Sequence, residues 1–357
     1  MREPREEPGS GDGSEQARIT ALLAGLPPGE RVVVGPGDDA AVLRPREGHD
    51  LVVTTDAFVE GRHFRRDLLT PAEAGTRLAA ANLSDLAAMA AVPRWALLSL
   101  VVPASRSAAD ALALEHACAR ALDGEGAAVV GGNLAAGDGA FSATVTLLGE
   151  VERERAWTRA GARPGDVLAV TGVPGSAAAF LALALWGNPP SRTRAPGGLA
   201  ERFIAPASRV RAARALAAAG GVRAAIDVSD GLGADLAQLC RASGVGARVH
   251  ETRLPADEPF RAAARALSAA AGQERGPLPA GESALLPHFQ WGPSDDYELL
   301  LAVEPVAWER CREVAEAAGA PLTAIGEVVE GAGLELVDRG GVARPLEPRG
   351  WDHFRSA

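Results

Sequence analysis

Strand-like and helix-like stretches alternate irregularly along this chain, and that order most narrows its fold. A doubly wound sheet needs a repeating strand–helix rhythm, so the sequence predicts an α+β architecture. Arg31 to Val34, Leu51 to Thr55, Ala96 to Val102 and Ser142 to Val151 are short apolar runs that read as strands. Pro71 to Ala91 reads as a helix, because Leu78, Asn82, Asp85, Leu86 and Met89 recur at helical spacing. Ala17 to Ala24 and the Ala-rich Ala108 to Leu122 read likewise. Between Arg153 and Gly165, charges and a Pro-Gly pair break the pattern and mark a hinge. Beyond it come strands at Val167 to Thr171, Ala224 to Val228, Leu299 to Val303 and near 324–338. Helices are expected at Ser176 to Trp186, Ser208 to Ala219 and Val306 to Ala318, and loops at Gly187 to Gly198 and Gly272 to Gly281. A chain of 357 residues can bury two cores. The expected division is a disordered acidic tail over 1–16, one domain over 17–152 and another over 153–357.

Charge and composition exclude several functions. The net charge is −10, without the basic footprint that nucleic-acid binding needs. All 36 basic residues are Arg. Without Lys there is no Walker A lysine, no protein-kinase strand lysine and no Schiff-base lysine. Phosphate handling would fall to Arg, backbone N–H groups and metal ions. Residues 1–16 lack the apolar stretch of a secretory signal, and runs such as Trp95 to Val102 are too short to span a bilayer. Cys118, Cys240 and Cys311 lack metal-type spacing and read as buried thiols. A cytoplasmic protein is expected.

Six polar clusters are candidates for chemistry. Asp39 lies in Gly35-Pro36-Gly37-Asp38-Asp39, where adjacent carboxylates in a Gly-rich turn suit a hard cation or simply form a turn. Thr54-Thr55-Asp56 is expected to end a strand. Asp85 falls on the apolar face of a helix, where a carboxylate needs a partner. Gly131-Gly132-Asn133 is expected as a turn after a strand, offering N–H groups to phosphate. Asp227, Ser229 and Asp230 sit at a strand end, with Asp230 an alternative helix N-cap. Asp295 and its neighbours adjoin Tyr297, the only Tyr. Together they suggest metal-assisted binding of a polyphosphate.

The order GPGDDAAVL, VVTTDAFVEGRHF, NLSDLAAMAAVPRW, VGGN, TRAGARPGD, IDVSDGLGADL, DDYELL and GWDHF resembles thiamine-monophosphate kinase, over about residues 17–354. The resemblance implies an N-terminal domain that binds ATP and metal and pairs with its twin in a homodimer. It also implies a C-terminal α/β domain with nucleotide and substrate loops, ATP between the domains, and several Mg²⁺ ions. Asp39, Thr54, Thr55, Asp56, Asp85, Asn133, Asp227 and Asp230 would then be metal ligands. Gly132, Asn133, Arg159 and Ser229 would contact the nucleotide. His63, Asp295 and Trp351 would line the thiamine-phosphate site. No general base is implied, since a phosphate monoester with its second pKa near about 6 is already largely ionised at neutral pH.

Two departures from the family pattern carry consequences. Asn133 stands where the pattern has a metal-binding Asp, so one Mg²⁺ site is expected to weaken. Asp295 replaces a longer Glu, and Pro293 a flexible Gly. Two alternatives stay open on sequence alone: a non-catalytic homologue that binds nucleotide or thiamine phosphate, and an enzyme of the same superfamily with another substrate.

Overall fold

Alternating β-formers over His49–Val59 and a long apolar helix after Thr70 set the framework of the N-terminal half. The computed structural model describes residues 29–187, 195–269 and 278–351. The expected tail and the helix at Ala17 to Ala24 lie outside the described residues, as do parts of both expected loops. In chain order the first half holds β1 (Val32–Val34), β2 (Val42–Leu43), β3 (His49–Val59), α1 (Pro71–Ala88), β4 (Val92–Pro103), α2 (Ala108–Asp123), β5 (Ala128–Gly137) and β6 (Ser142–Glu152). β1 and β2 pair as a small hairpin, and four strands form a sheet in the order β3-β6-β4-β5. Its pairs are antiparallel except β4 with β5.

The second half holds β7 (Val167–Thr171), α3 (Ser176–Trp186), α4 (Leu199–Ile204), α5 (Val210–Ala219), β8 (Val222–Val228), α6 (Leu232–Ser243), β9 (Gly246–His250), α7 (Glu258–Ala269), α8 (Glu282–Trp291), β10 (Glu298–Val303), α9 (Trp308–Ala317), β11 (Leu322–Val329), β12 (Gly333–Val337) and β13 (Ala343–Pro345). Its sheet runs β13-β12-β9-β11-β7-β10-β8, antiparallel except β12 with β9. The α+β expectation holds.

α1 joins the two halves. It starts from a capping box in which Thr70 and Glu73 satisfy each other's backbone N–H, with Pro71 in the first turn. Its buried residues cover nearly the whole circumference, because it touches β3 and β6 of one sheet and β8 and β10 of the other. A helix buried on all sides is apolar all round, and the polar residues within it need partners.

Two motifs sit differently from their sequence expectation. Thr54-Thr55-Asp56 lies inside β3, since Ala57, Phe58 and Val59 extend the pairing with β6 up to Ser142. Gly131-Gly132-Asn133 lies inside β5, paired in parallel with β4, so it is not a free turn. As an edge strand, β5 commits only alternate N–H groups to β4, so the motif offers a strand edge in place of a turn.

A buried acid in α2 sets one pH effect. Glu115 is buried, and burial pushes its carboxyl up to about 7, with Arg120 opposing. The imidazole of His116 stands 3.3 Å away. Because the folded value lies above the unfolded one, this group's contribution is favourable at low pH and lost as pH rises through 7. Glu115→Gln should therefore leave the melting temperature unchanged at pH 4, below the ordinary carboxyl value. At pH 8 it should raise it by about 2 °C, for roughly 1 kcal/mol, in thermal melts.

Candidate active site

Strand alternation turns Thr54 and Asp56 of β3 to one face. Thr54 Oγ1 donates to Asp85 Oδ2 at 2.5 Å, which ties β3 to α1. One residue earlier on α1, Ser84 Oγ donates to Asp227 Oδ2 of β8 at 2.9 Å. Adjacent positions on one helix thus hold the carboxylates of both sheets in a single cluster. Burial pushes the Asp227 carboxyl up to about 8, with the charges of Asp85, Asp235 and Asp56 adding to it. Burial and then Asp85 raise Asp56 to about 6. Asp85 is raised by burial too, against the hydroxyl of Thr54 and the charge of Arg159. Asp85 raises both Asp56 and Asp227, so the acids oppose one another, and Arg159 is the cation whose charge acts on Asp85.

They line a cavity of ≈ 490 Å³ between the two halves. Ser229, Asp230, His63, Asp295 and Trp351 line it as well. The wall also has an apolar part that includes Leu181, Leu185, Trp186, Phe203 and Phe289. His63 is set by an Nδ1 that accepts from the Val59 N–H at 3.1 Å and by stacking on Phe58, 5.7 Å between centroids. The backbone N–H of Trp351 donates to the Asp230 carbonyl at 3.1 Å, which draws the C-terminal segment to the cavity.

The other expected residues are not brought to this cavity. Asp39 is exposed on the β1–β2 turn, where its N–H donates to Asp38 Oδ1. Thr55 points to the opposite face of β3 from Asp56 and donates to the Val145 carbonyl at 3.0 Å. Gly132 and Asn133 are exposed on β5, the far edge of the sheet from β3. Arg159 is exposed, and its Nη1 donates to Gln238 Oε1 at 2.7 Å. Asp230 is not the helix cap; Gly231 holds that position, with φ 119°.

Four residues stand out for which the sequence implied no individual role. Asp235, one turn into α6, accepts from the backbone N–H groups of Ser229, Asp230 and Gly231, each at 3.1 Å. Those N–H groups brace the turn after β8, and an acid in the first turn of a helix was the signal for it. Asp296 accepts from the N–H groups of Gly175 and Ala177 at the start of α3. Ser84 holds Asp227, and Arg77 braces the loop containing Asp295. Nothing in the sequence distinguishes Ser84 or Arg77, because both depend on the packing of α1 against the second sheet.

Among the described residues, no group of three His, Cys, Asp or Glu side chains is placed to hold a metal ion alone. The donor set still suits Mg²⁺, which takes one or two carboxylates and completes its shell with water and substrate phosphate oxygens.

The fold and this cavity mark the chain as an AIR synthase related protein, whose N-terminal domain model matches residues 37–151 and whose C-terminal domain model matches 163–339. The thiamine-monophosphate kinase of Caulobacter vibrioides is 35% identical over 350 residues, 97% of this chain and 92% of that protein. The chain belongs to the thiamine-monophosphate kinase family. The crystal structure of the kinase from Stenotrophomonas maltophilia K279a superposes with TM-score 0.72 at 32% identity, over 89% of this chain and 94% of that one. A structure of AaThiL complexed with AMPPCP and TMP gives TM-score 0.70 at 28% identity, over 87% and 89%.

Proposed function

We propose that this chain transfers the γ-phosphate of ATP to the phosphate of thiamine monophosphate, giving thiamine diphosphate and ADP. The observation that carries this reading is the acid cluster Asp56, Asp85 and Asp227 at the cavity between the two halves, in a member of this family. The AaThiL complex with AMPPCP and TMP supports the choice of both substrates. Asp56, Asp85, Asp227 and Asp230, with Thr54, would hold Mg²⁺, which supplies the positive charge needed for two phosphate groups to approach. Ser229 faces the nucleotide, Arg159 would turn from Gln238 to reach its phosphates from outside the cavity, and His63, Asp295 and Trp351 position the thiamine moiety. Trp351 is half-exposed and can lie against a cationic ring. The acceptor phosphate is its own nucleophile, and the side chains fix its line of attack.

We also read the chain as a homodimer. Asp56, Val145, Leu98 and Gly132 stand in one row across the four strands. Three strand spacings separate the ends of that row by about 14 Å. Asn133 therefore serves the same phosphate group as Asp56 only if it comes from a second copy. Exposed Leu51, Val53 and Leu97 on the sheet's outer face support such pairing. We place the domain boundary near residues 152–153, where β6 ends, and the enzyme in the cytoplasm. Three free, buried thiols support that compartment, and among the described residues no helix is long and apolar enough to cross a membrane.

The test is an assay with ATP, Mg²⁺ and thiamine monophosphate that follows both products. Equal amounts of ADP and thiamine diphosphate are expected, and absence of both over a wide Mg²⁺ range would overturn the reading. Asn133 is the observation that favours a non-catalytic binder. Asn133→Asp should lower the Mg²⁺ concentration for half-maximal rate about tenfold, roughly 1.4 kcal/mol.

A further inference from the structure

We infer that Arg77 is a positioning residue that locks the acceptor loop to the helix carrying the acid cluster, and so governs acceptor affinity. This rests on the proposed reaction. Arg77 lies on α1, the helix that carries Ser84 and Asp85, and its side chain is only 1% exposed. Its guanidinium donates through Nη1 to the Phe203 carbonyl, and through Nη2 to the Asp295 carbonyl at 3.2 Å. Nη2 also lies 3.3 Å from Asp295 Oδ2. The cation sits 4.1 Å from the ring centroid of Phe203 and 5.2 Å from that of Tyr297.

Tyr297 has φ 55°, a strained backbone for a bulky residue that its surroundings must hold in place. On one side its N–H donates to the Val228 carbonyl at 2.9 Å, and on the other stands Arg77. The Asp295 side chain is 53% exposed at the cavity, whereas Arg77, although it forms part of the cavity wall, has its side chain only 1% exposed behind Asp295 and the rings of Phe203 and Tyr297. Arg77 therefore acts on the substrate through the loop and not by contact. A planar guanidinium can lie against two rings while its fork reaches two carbonyls, and an ammonium cannot. Through one side chain, the loop that meets the acceptor is held at a fixed offset from the acids beside the transferred phosphate.

The experiment compares full-length wild type, Arg77→Met and Arg77→Lys by steady-state kinetics and by amide hydrogen exchange of the segment 293–298 without ligands. Arg77→Met should raise KM for thiamine monophosphate about tenfold and change KM for ATP less than about twofold, with faster exchange in the segment. Arg77→Lys should fall between it and wild type. A folded Arg77→Met protein with unchanged acceptor KM, or with both KM values raised equally, overturns the inference. Should Arg77→Met fail to fold, Arg77→Lys decides: wild-type acceptor KM and wild-type exchange overturn it. Should wild type make no thiamine diphosphate, the proposed reaction fails and exchange alone decides, with unchanged rates in the folded variants overturning the role of Arg77.

Discussion

Asp227→Asn is expected to stop turnover while making the ligand-free protein more stable at alkaline pH. Asp227 is buried at the end of β8, and its carboxyl is pushed up to about 8 by burial and by the neighbouring acids. The folded value lies far above the ordinary 3.8, so the sign is fixed. Its favourable contribution is complete at low pH and is lost as pH rises through 8. At pH 9 the folded protein must hold a buried anion beside other anions. Asn removes that charge and keeps an oxygen for Ser84 Oγ, now 2.9 Å from the carboxylate. The gain at pH 9 should be on the order of 2 kcal/mol, and near zero only at pH 3, below the ordinary carboxyl value. Turnover should fall about 10³-fold, as when a preorganised electrostatic partner of the transferring group is removed. Thermal melts at both pH values and ADP release read the two effects separately. A fully active variant would remove Asp227 from the site, while an unstable inactive one would assign it a structural role.

The sequence made the helix of Asp85 and the strands around it legible because their periodicities are long. Leu78, Asn82, Asp85, Leu86 and Met89 repeat over several turns, and burial alternates along β3 from Val52 to Phe58, although the expected strand stopped at Thr55. α8 was hidden by Pro287 inside it, which reads as a breaker although tertiary packing of Leu285, Leu286 and Phe289 overrides it. α7 is legible in the helical spacing of Phe260, Ala263, Ala264 and Leu267. The candidate site divides in the same way. Acids flanked by patterned elements, such as Asp56, Asp85 and Asp227, could be picked from the chain. Their bonds to Thr54 and Ser84 could not, because those depend on how α1 sits between two sheets. The strand placement of Gly132 and Asn133 was equally hidden, since paired glycines read as a turn until a neighbouring strand explains them.

Gly132→Ala should destabilise the protein strongly, whereas Gly131→Ala should not. A Cβ at Gly132 would lie 1.8 Å from the carbonyl oxygen of Leu98 and 2.8 Å from its carbon. Both are backbone atoms of β4, so relief requires β5 to move away from its parallel partner. At Gly131 the nearest atom is Leu97 Cδ2 at 3.2 Å, the end of a side chain that can rotate. The expected loss for Gly132→Ala is about 3 kcal/mol or more, against ~0.5 kcal/mol at Gly131. In melting temperature these correspond to about 6 °C and ~1 °C. The displaced strand carries Asn133, so Gly132→Ala should also raise the Mg²⁺ concentration for half-maximal rate under the homodimer reading. That separation matters because a simple backbone N–H role for Gly132 would tolerate a methyl group facing away from the nucleotide. Equal melting temperatures for the two variants would mean that β5 does not approach β4 this closely. The row linking Asp56 to Gly132, and with it the need for a second copy at the site, would then lose its basis.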